Sequence, residues 1–297
     1  VIIAGDPNQA LYEFMGTNPK IFRNFHASET VMLTQSHRVP DNNVKLALRI
    51  INKNKGEEAF HFNGNGTKGS TVEVPSLAHV IEGIRTNKDK SFLLMARDNY
   101  NLGLGRDFLR KQGIPVGASA VKTAAVKLVL SRPATITRYD LEILISELFP
   151  SKRSRLSTGA WERGAKTRLE VEIEKGFSPC SVSDLAKFGA DASLVHALTT
   201  GDLTILKMTG DELRYYRNIV EKWDGRHDLV RAFTFHGAKG READISIIIT
   251  DVTKRIHEEE TVGDTESERR CWYVAVTRAK LMNILVRRTG AYSTRIL

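Results

Sequence analysis

Two arginines have the chemistry that suits a phosphate. Arg38 ends the segment Leu33–Arg38, and Arg278 follows Tyr273–Thr277. A guanidinium group is always charged and offers forked donors, so both are candidates for stabilising negative charge on a phosphate. An arginine on a helix usually faces solvent. Because the residues before Arg278 are mostly apolar, we predict that its helix is buried and that its side chain has a specific partner.

A side-chain amide is the third candidate. Gln9 follows Val1–Ala4, an apolar run typical of a buried strand, and the stop signal Gly5-Asp6-Pro7. An amide just past a strand can orient an attacking water and sense a phosphate, as phosphoryl transfer requires. The alternative is a turn residue. A strand that starts at Val1 also suggests a chain cut out of something longer.

Composition limits the class of protein. The chain has 297 residues with 44 Lys+Arg against 35 Asp+Glu, and a 41% hydrophobic share that is ordinary for a globular protein. No apolar run approaches the roughly 20 residues of a membrane span, and no signal peptide is visible. Cys180 and Cys271 cannot form a disulfide framework or a four-ligand zinc site. The net charge of +9 favours a polyanionic partner, although a merely basic soluble protein would also carry it.

The elements that must position these residues alternate along the chain, which predicts a doubly wound α/β sheet. Residues 119–226 have mainly helical patterns and read as an insertion. The acidic residues Glu258–Glu260, Asp264, Glu266 and Glu268 are expected in an exposed loop and a helix N-terminus. Predicted strands are Val1–Ala4, Val31–Leu33, Ser91–Ala96, Val230–Phe235, Ile245–Ile249 and Met282–Val286; predicted helices are Pro40–Ile51, Leu102–Gln112 and Glu266–Ala279.

Four segments, taken in order, resemble the later motifs of the UvrD/Rep/PcrA-type superfamily 1 DNA helicases. They are Gly5–Gly16 (GDPxQxxYxFxG), Leu33–Pro40, Thr234–Glu242 (TxHxxKGxE) and Arg269–Lys280 (YVAxTRA). The resemblance implies a RecA-like (P-loop NTPase-type) parallel-sheet domain interrupted by a mostly α-helical insertion. It divides the chain into the end of a first RecA-like domain (1–27), the second domain's first half (28–118), the insertion (119–226) and the second half (227–297).

The resemblance also implies an ATP site between two domains. Arg38 and Arg278 would reach the γ-phosphate, with Arg278 as an arginine finger, and Gln9 would sense that phosphate.

The remaining nucleotide contacts implied by the resemblance are His37, Gly240 and Glu242. Glu242 would hydrogen-bond the ribose. His37 stands where the family usually has a tyrosine that stacks on adenine, so we expect altered base contact with unchanged phosphate contact.

DNA contacts follow from the same motifs. The resemblance implies that Phe14 stacks on bases of single-stranded DNA. Tyr12 is a second DNA-binding candidate of the same motif, and the alternative is that it packs the motif itself. Thr234, His236 and Lys239 would couple the DNA backbone to the nucleotide. The alternatives are a core aromatic for Phe14 and a hydrogen-bonded structural role for His236.

The Walker A pattern GxxxxGK[ST] does not occur, and the family carries Walker A and Walker B on the first RecA-like domain. We therefore expect the Mg²⁺ ligands on a missing upstream domain, predict no metal ligands here, and expect this chain alone neither to bind ATP tightly nor to hydrolyse it.

The expectation is the C-terminal part of an ATP-dependent DNA helicase, cytoplasmic in a bacterial or virus-infected host cell and without membrane contact. Its partners would be single-stranded DNA, a duplex junction and the missing domain, and the family implies 3′→5′ movement. Ser151–Arg168 holds six basic residues and one acidic residue, which indicates duplex contact or a solvated helix face. The alternatives are a non-catalytic nucleic-acid-binding or regulatory module and a helicase–nuclease, for which the chain shows no nuclease motif.

Overall fold

A computed structural model describes residues 1–54, 61–148, 160–162, 164–263, 265–287 and 291–297. Within these ranges, the side chains of Phe14 and Leu148 are not described. The chain divides into two compact units. Unit 1 is Val1–Val116 with Leu229–Leu297, and unit 2 is Gly117–Asp228. The predicted insertion, 119–226, falls within unit 2.

The elements are listed in chain order. The first part of unit 1 contains α1 (Pro19–Arg23), α2 (Asp41–Ile51), β1 (Ser70–Val74), α3 (Ile81–Thr86), β2 (Phe92–Ala96) and α4 (Asn99–Lys111). Unit 2 contains α5 (Ala120–Ser131), β3 (Thr135–Ile136), α6 (Arg138–Leu148), α7 (Ala165–Glu174), β4 (Cys180–Ser181), α8 (Ala192–Thr200) and α9 (Gly210–Trp223). Unit 1 resumes with β5 (Val230–Thr234), β6 (Ala243–Ile249), α10 (Lys254–Val262), α11 (Thr265–Val276) and β7 (Ala279–Val286). Short 3-10 helices cover Pro7–Gln9, Glu13–Met15, Leu77–Val80, Val182–Phe188 and Leu203–Leu206.

Unit 1 is an α/β fold built on a parallel sheet, and its described strands have the order β1-β7-β6-β2-β5. The central strand β2 is buried along its whole length, as its continuous apolar run predicts. Leu93 and Met95 join the core with residues of α2 and α11. Leu94 lies near Gly105 of α4. Helices therefore cover both faces of the sheet.

Two of the predicted strands are wrong. Val1–Ala4 and Val31–Leu33 are exposed and form no strand, because neither run pairs with an edge of the sheet. A backbone ladder needs a neighbouring strand, whatever the local apolarity. Near the second run only Gln35 forms an isolated bridge, to Asn63. The edge strand β1 was not predicted, since its residues are only partly buried and mixed in polarity.

Element ends follow local capping. Helix α4 begins three residues before its predicted start because the Asp98 carboxylate accepts a hydrogen bond from the Asn101 amide (2.8 Å). Pro40 is the N-cap of α2 rather than its first residue. Helix α11 ends at Val276, and Ala279, predicted in this helix, opens β7.

Unit 2 has a helical core of its own, in which Leu141, Leu144 and Ile219 are fully buried. Strands β3 and β4 pair antiparallel within it. Of the basic stretch Ser151–Arg168, residues 151–159 and Arg163 lie outside the described residues. Lys166 pairs with Glu170 and Arg168 with Glu162, and all four side chains are exposed.

No helix in the described part of the chain is long and apolar enough to cross a membrane.

Candidate functional site

A cavity of about 560 Å³ opens at the amino ends of two neighbouring parallel strands. Glu242 directly precedes β6, and Lys280 is the second residue of β7. Ser36, His37, Arg38 and Asn65 complete the lining. The cavity thus joins residues of three of the four motif segments. All of them belong to unit 1.

The backbone at Arg38 is held from two sides. The Ser36 hydroxyl accepts a hydrogen bond from the Val39 amide (3.0 Å), which closes a tight turn. The Asn65 side chain donates to the Arg38 carbonyl oxygen (3.1 Å), and the Asn65 amide donates to the Val39 carbonyl oxygen (2.9 Å). Val39 and Pro40 are buried at the start of α2. This turn fixes the direction in which the Arg38 side chain leaves the backbone.

Glu242 is held between two cations. Its Oε1 lies 2.5 Å from Lys280 Nζ, and its Oε2 lies 3.8 Å from Arg38 Nη1. The hydrogen bond from Lys280 is the main reason that the pKa of Glu242 is lowered, and the charge of Arg38 lowers it further. Arg38 Nε is buried, and no described residue accepts a hydrogen bond from it. An anion that entered the cavity would supply that missing acceptor.

Arg278 adjoins the cavity without lining it, and only 1% of it is exposed. Its Nε donates to the Val274 carbonyl oxygen (2.8 Å), its Nη2 to the Thr277 hydroxyl (2.9 Å) and its Nη1 to the Arg241 carbonyl oxygen (3.4 Å). Burial lowers the pKa of Arg278 to about 10, and the charge of Arg38 contributes. The guanidinium remains charged at neutral pH. The predicted burial of its helix is confirmed, because Tyr273–Val276 are all buried.

A second cluster lies past the carboxyl end of β5. The His236 ring Nε2 donates to the Leu11 carbonyl oxygen (3.0 Å), and Lys239 Nζ donates to the Gln9 carbonyl oxygen (2.8 Å). The Tyr12 ring packs on His236 with 5.7 Å between centroids. Thr234 caps its own turn by accepting from the Gly237 amide (3.3 Å). The first and third motif segments therefore meet here.

Burial, with the nearby charge of Arg97, lowers the pKa of His236. A half-buried imidazole that is bonded to a backbone carbonyl matches the structural alternative that the sequence leaves open.

The amide of Gln9 is used within its own turn. Its Nε2 donates to Asp6 Oδ2 (2.8 Å), while Asp6 Oδ1 accepts from the Asn8 amide (2.9 Å). The Tyr273 hydroxyl of α11 also reaches Asp6 Oδ2 at 3.5 Å. Gln9 is not part of the cavity lining. The contact with Tyr273 links its turn to the helix that ends just before Arg278.

Helix α11 carries one buried member of each of two cation–carboxylate pairs, Arg270 in one and Glu268 in the other. Arg270 Nη2 lies 2.5 Å from Glu13 Oε2. Glu268 accepts two hydrogen bonds from Arg97, from Nε (2.7 Å) and from Nη2 (2.5 Å), the bidentate geometry that arginine favours.

The expected helix N-terminus is confirmed, because Glu266 and Glu268 lie in the first turn of α11, although Glu268 is buried. Asp264 lies outside the described residues. The expected exposed loop is wrong. Glu258–Glu260 lie within α10, and Glu260 is buried. Glu260 Oε1 accepts hydrogen bonds from Trp272 Nε1 (3.1 Å) and the Thr294 hydroxyl (2.7 Å), and Oε2 accepts from the Arg295 amide (2.9 Å). Burial nevertheless raises the pKa of Glu260. These three donors explain how a carboxylate is accommodated among apolar residues.

Other predicted site residues lie as follows. Gly240 is exposed and has a φ of +78°, a conformation that favours glycine. The side chain of Phe14 is outside the described part of the structure. Sequence reasoning missed Ser36, Asn65 and Lys280 as cavity residues, although Lys280 stands only two positions after Arg278. Among the described residues, no group of three or more His, Cys, Asp or Glu side chains could hold a metal ion.

No protein-family model matches the chain, and no curated protein matches it.

Proposed function

We propose that unit 1 is the second RecA-like domain of an ATP-dependent DNA helicase similar to the UvrD/Rep family, and that it supplies the arginine-bearing half of the ATP site. The supporting observation is the cationic cavity. It is lined by Arg38 and Lys280 and adjoined by the buried Arg278, against Glu242 as the acidic residue of its lining. Such an excess of positive charge suits the phosphates of a nucleotide.

The side chains of the cavity fit a nucleoside triphosphate. Arg38 has a buried Nε without an acceptor among the described residues, and a phosphate oxygen would supply one. His37 is exposed at the cavity, where a ring can stack on a base. Glu242 would accept hydrogen bonds from ribose hydroxyls, as the family motif implies. Gly240, two residues earlier, would let the chain turn beside the nucleotide.

Arg278 would act as the arginine finger after a rearrangement. Its present acceptors are two carbonyl oxygens and a hydroxyl, all of them neutral. A γ-phosphate is a stronger acceptor for a guanidinium than any of these groups, because both partners are charged. The charged form of Arg278 is also disfavoured by burial, so an approaching anion would stabilise it.

The second cluster would carry single-stranded DNA. Past the carboxyl end of β5, His236 lies together with Lys239, Tyr12 and Thr234. Phe14 would add a stacking surface. The contacts of α11 with Asp6 and Glu13 connect this cluster with the helix that precedes Arg278. Closure of the two RecA-like domains around ATP would therefore act on the cavity and on the second cluster. Mg²⁺ and its ligands would belong to the partner half of the site.

The test is ATP hydrolysis by the product of the complete coding region, with and without single-stranded DNA. We expect DNA-stimulated hydrolysis, and we expect Arg38→Ala and Arg278→Ala each to lower kcat by about 10³-fold while DNA binding persists. Lys122→Met, which breaks a lysine–glutamate pair in unit 2, is the matched control and should leave kcat unchanged. Absence of DNA-stimulated hydrolysis would overturn the proposal.

One observation favours the second candidate, a non-catalytic nucleic-acid-binding or regulatory module. Gln9 and Arg278, the two groups expected to sense the γ-phosphate, are both hydrogen-bonded inside unit 1. DNA binding without ATP hydrolysis, in a product whose initiator methionine lies next to Val1, would support this module.

A further inference from the structure

The cationic side chain of Lys280 lines the cavity, and the motif resemblance assigns no role to this residue. Ala279, the residue before it, pairs with Ala243 in the parallel ladder between β7 and β6 and is fully buried, and the register of this ladder shifts across Lys280 and Leu281 before pairing resumes at Met282. The Lys280 side chain is 44% exposed and ends 2.5 Å from Glu242 Oε1. The flexible four-carbon stem of Lys280, which follows the anchored Ala279, allows Nζ to move within the cavity.

Arg278 is placed differently, although it is only two residues away. All three of its side-chain nitrogens donate to groups of unit 1, and it is almost completely buried. In this conformation the cation that this segment directs into the cavity is therefore Lys280.

We propose that Lys280 is a phosphate-binding residue of the cavity, and that Glu242 holds its ammonium group until a nucleoside triphosphate displaces it. This inference rests on the function proposed above. When the phosphates enter, Lys280 Nζ moves from Glu242 to phosphate oxygens, opposite Arg38. The Glu242 carboxylate, released from Lys280, then accepts hydrogen bonds from the ribose hydroxyls.

The proposed exchange of partners predicts opposite effects on phosphate binding when the charge of Glu242 or of Lys280 is removed. Glu242 is the acidic side chain of the lining, so it attracts Lys280 and repels an incoming phosphate. Removing the charge of Glu242 should strengthen the binding of a bare polyphosphate, which has no ribose to lose. Removing the charge of Lys280 should weaken it. A purely structural ion pair predicts otherwise, because breaking it from either side would have the same effect.

The experiment measures binding of inorganic triphosphate to the full 297-residue chain by ³¹P NMR titration. We expect Lys280→Met to weaken binding by about fivefold or more, since one close charge contact is lost. Lys280→Arg should retain binding. Glu242→Gln should strengthen it by about twofold or more. Thermal unfolding of each variant checks that the chain is folded.

Lys122→Met is the matched control. Lys122 Nζ lies 3.0 Å from Glu212 Oε1, and its side chain is 34% exposed, much as in the Lys280 pair. This variant should bind triphosphate like the unaltered chain. The proposal is overturned by unchanged binding in Lys280→Met, by weakening in both Lys280→Met and Glu242→Gln, or by no binding to the unaltered chain at millimolar triphosphate.

Failure of this proposal can be distinguished from failure of the proposed helicase function. Triphosphate binding that depends on Lys280, without DNA-stimulated ATP hydrolysis by the complete gene product, would retain the phosphate site and reject the helicase. DNA-stimulated hydrolysis with triphosphate binding that ignores Lys280 would retain the helicase and reject this role.

Discussion

Arg270 Nη2 lies 2.5 Å from Glu13 Oε2 and joins α11 to the segment that also carries Gln9 and Tyr12. The arginine side chain is 4% exposed, and its Nε has no acceptor among the described residues. Glu13 is thus the partner that neutralises a buried cation. The pair ties the first motif segment to the helix that precedes Arg278.

Glu13→Ala should therefore lower the free energy of unfolding by about 3 kcal/mol, because it leaves the buried guanidinium without its carboxylate. Chemical denaturation measures this difference. The control is Arg217→Ala, which breaks the exposed pair with Glu221 and should cost about 0.5 kcal/mol or less. Equal effects of the two substitutions would show that the Glu13 pair contributes no more than a surface contact.

The sheet could be predicted where local sequence already reflects its surroundings. A strand buried on both faces must be apolar at every position, so Phe92–Ala96 is recognisable without any knowledge of its partners. Val31–Leu33 has the same local character but no neighbouring strand, and it is exposed. Pairing is a property of the whole sheet, and a short apolar run does not reveal it.

The candidate site could likewise be predicted only where its residues stand in a recognisable local pattern. The motif pattern selected His37, Arg38 and Glu242, which line one cavity. It did not select Lys280, because its pairing with Glu242 depends on the register that places Ala243 beside Ala279. Glu260 was misjudged for a similar reason, since its donors Thr294 and Arg295 lie more than thirty residues away.

The loop that carries the cavity residue Asn65 requires glycine at position 64, because a side chain there would meet the backbone of Asp41. A Cβ on Gly64 would lie 2.7 Å from the Asp41 amide nitrogen and 2.8 Å from its Cα, so the backbone itself would have to move. We expect Gly64→Ala to cost about 1–3 kcal/mol of unfolding free energy and to weaken triphosphate binding, because the neighbouring Asn65 fixes Arg38.

Gly103 in α4 provides the contrast. A Cβ there would meet nothing within 4 Å, so Gly103→Ala should stabilise the helix by about 0.5–1 kcal/mol. Denaturation of both variants checks the pair of predictions. A neutral Gly64→Ala would contradict the close approach to Asp41.

Protonation of His236 should destabilise unit 1 in mild acid. Burial and Arg97 lower the pKa of His236 in the folded chain below its ordinary value of 6.5. The unfolded chain then takes up this proton at a higher pH than the folded chain. Its contribution to stability is present above 6.5 and is lost as the pH falls from there through the lower, folded-state pKa. Denaturation at about pH 7.5 and about pH 5.5 should show a larger loss for the native chain than for His236→Asn. Equal losses would contradict the prediction.

His37 offers a test of base recognition that leaves the phosphate contacts in place. Its side chain is exposed at the cavity, so His37→Tyr should change the unfolding free energy by no more than about 0.5 kcal/mol. A larger ring gives more stacking area, and we expect purine triphosphates to bind about threefold or more tighter, with a changed ratio of ATP to GTP affinity. Inorganic triphosphate, which has no base, is the internal control and should bind both chains equally, because Arg38 and Lys280 are unaltered. Identical ATP and GTP constants in both chains would show that residue 37 does not contact the base.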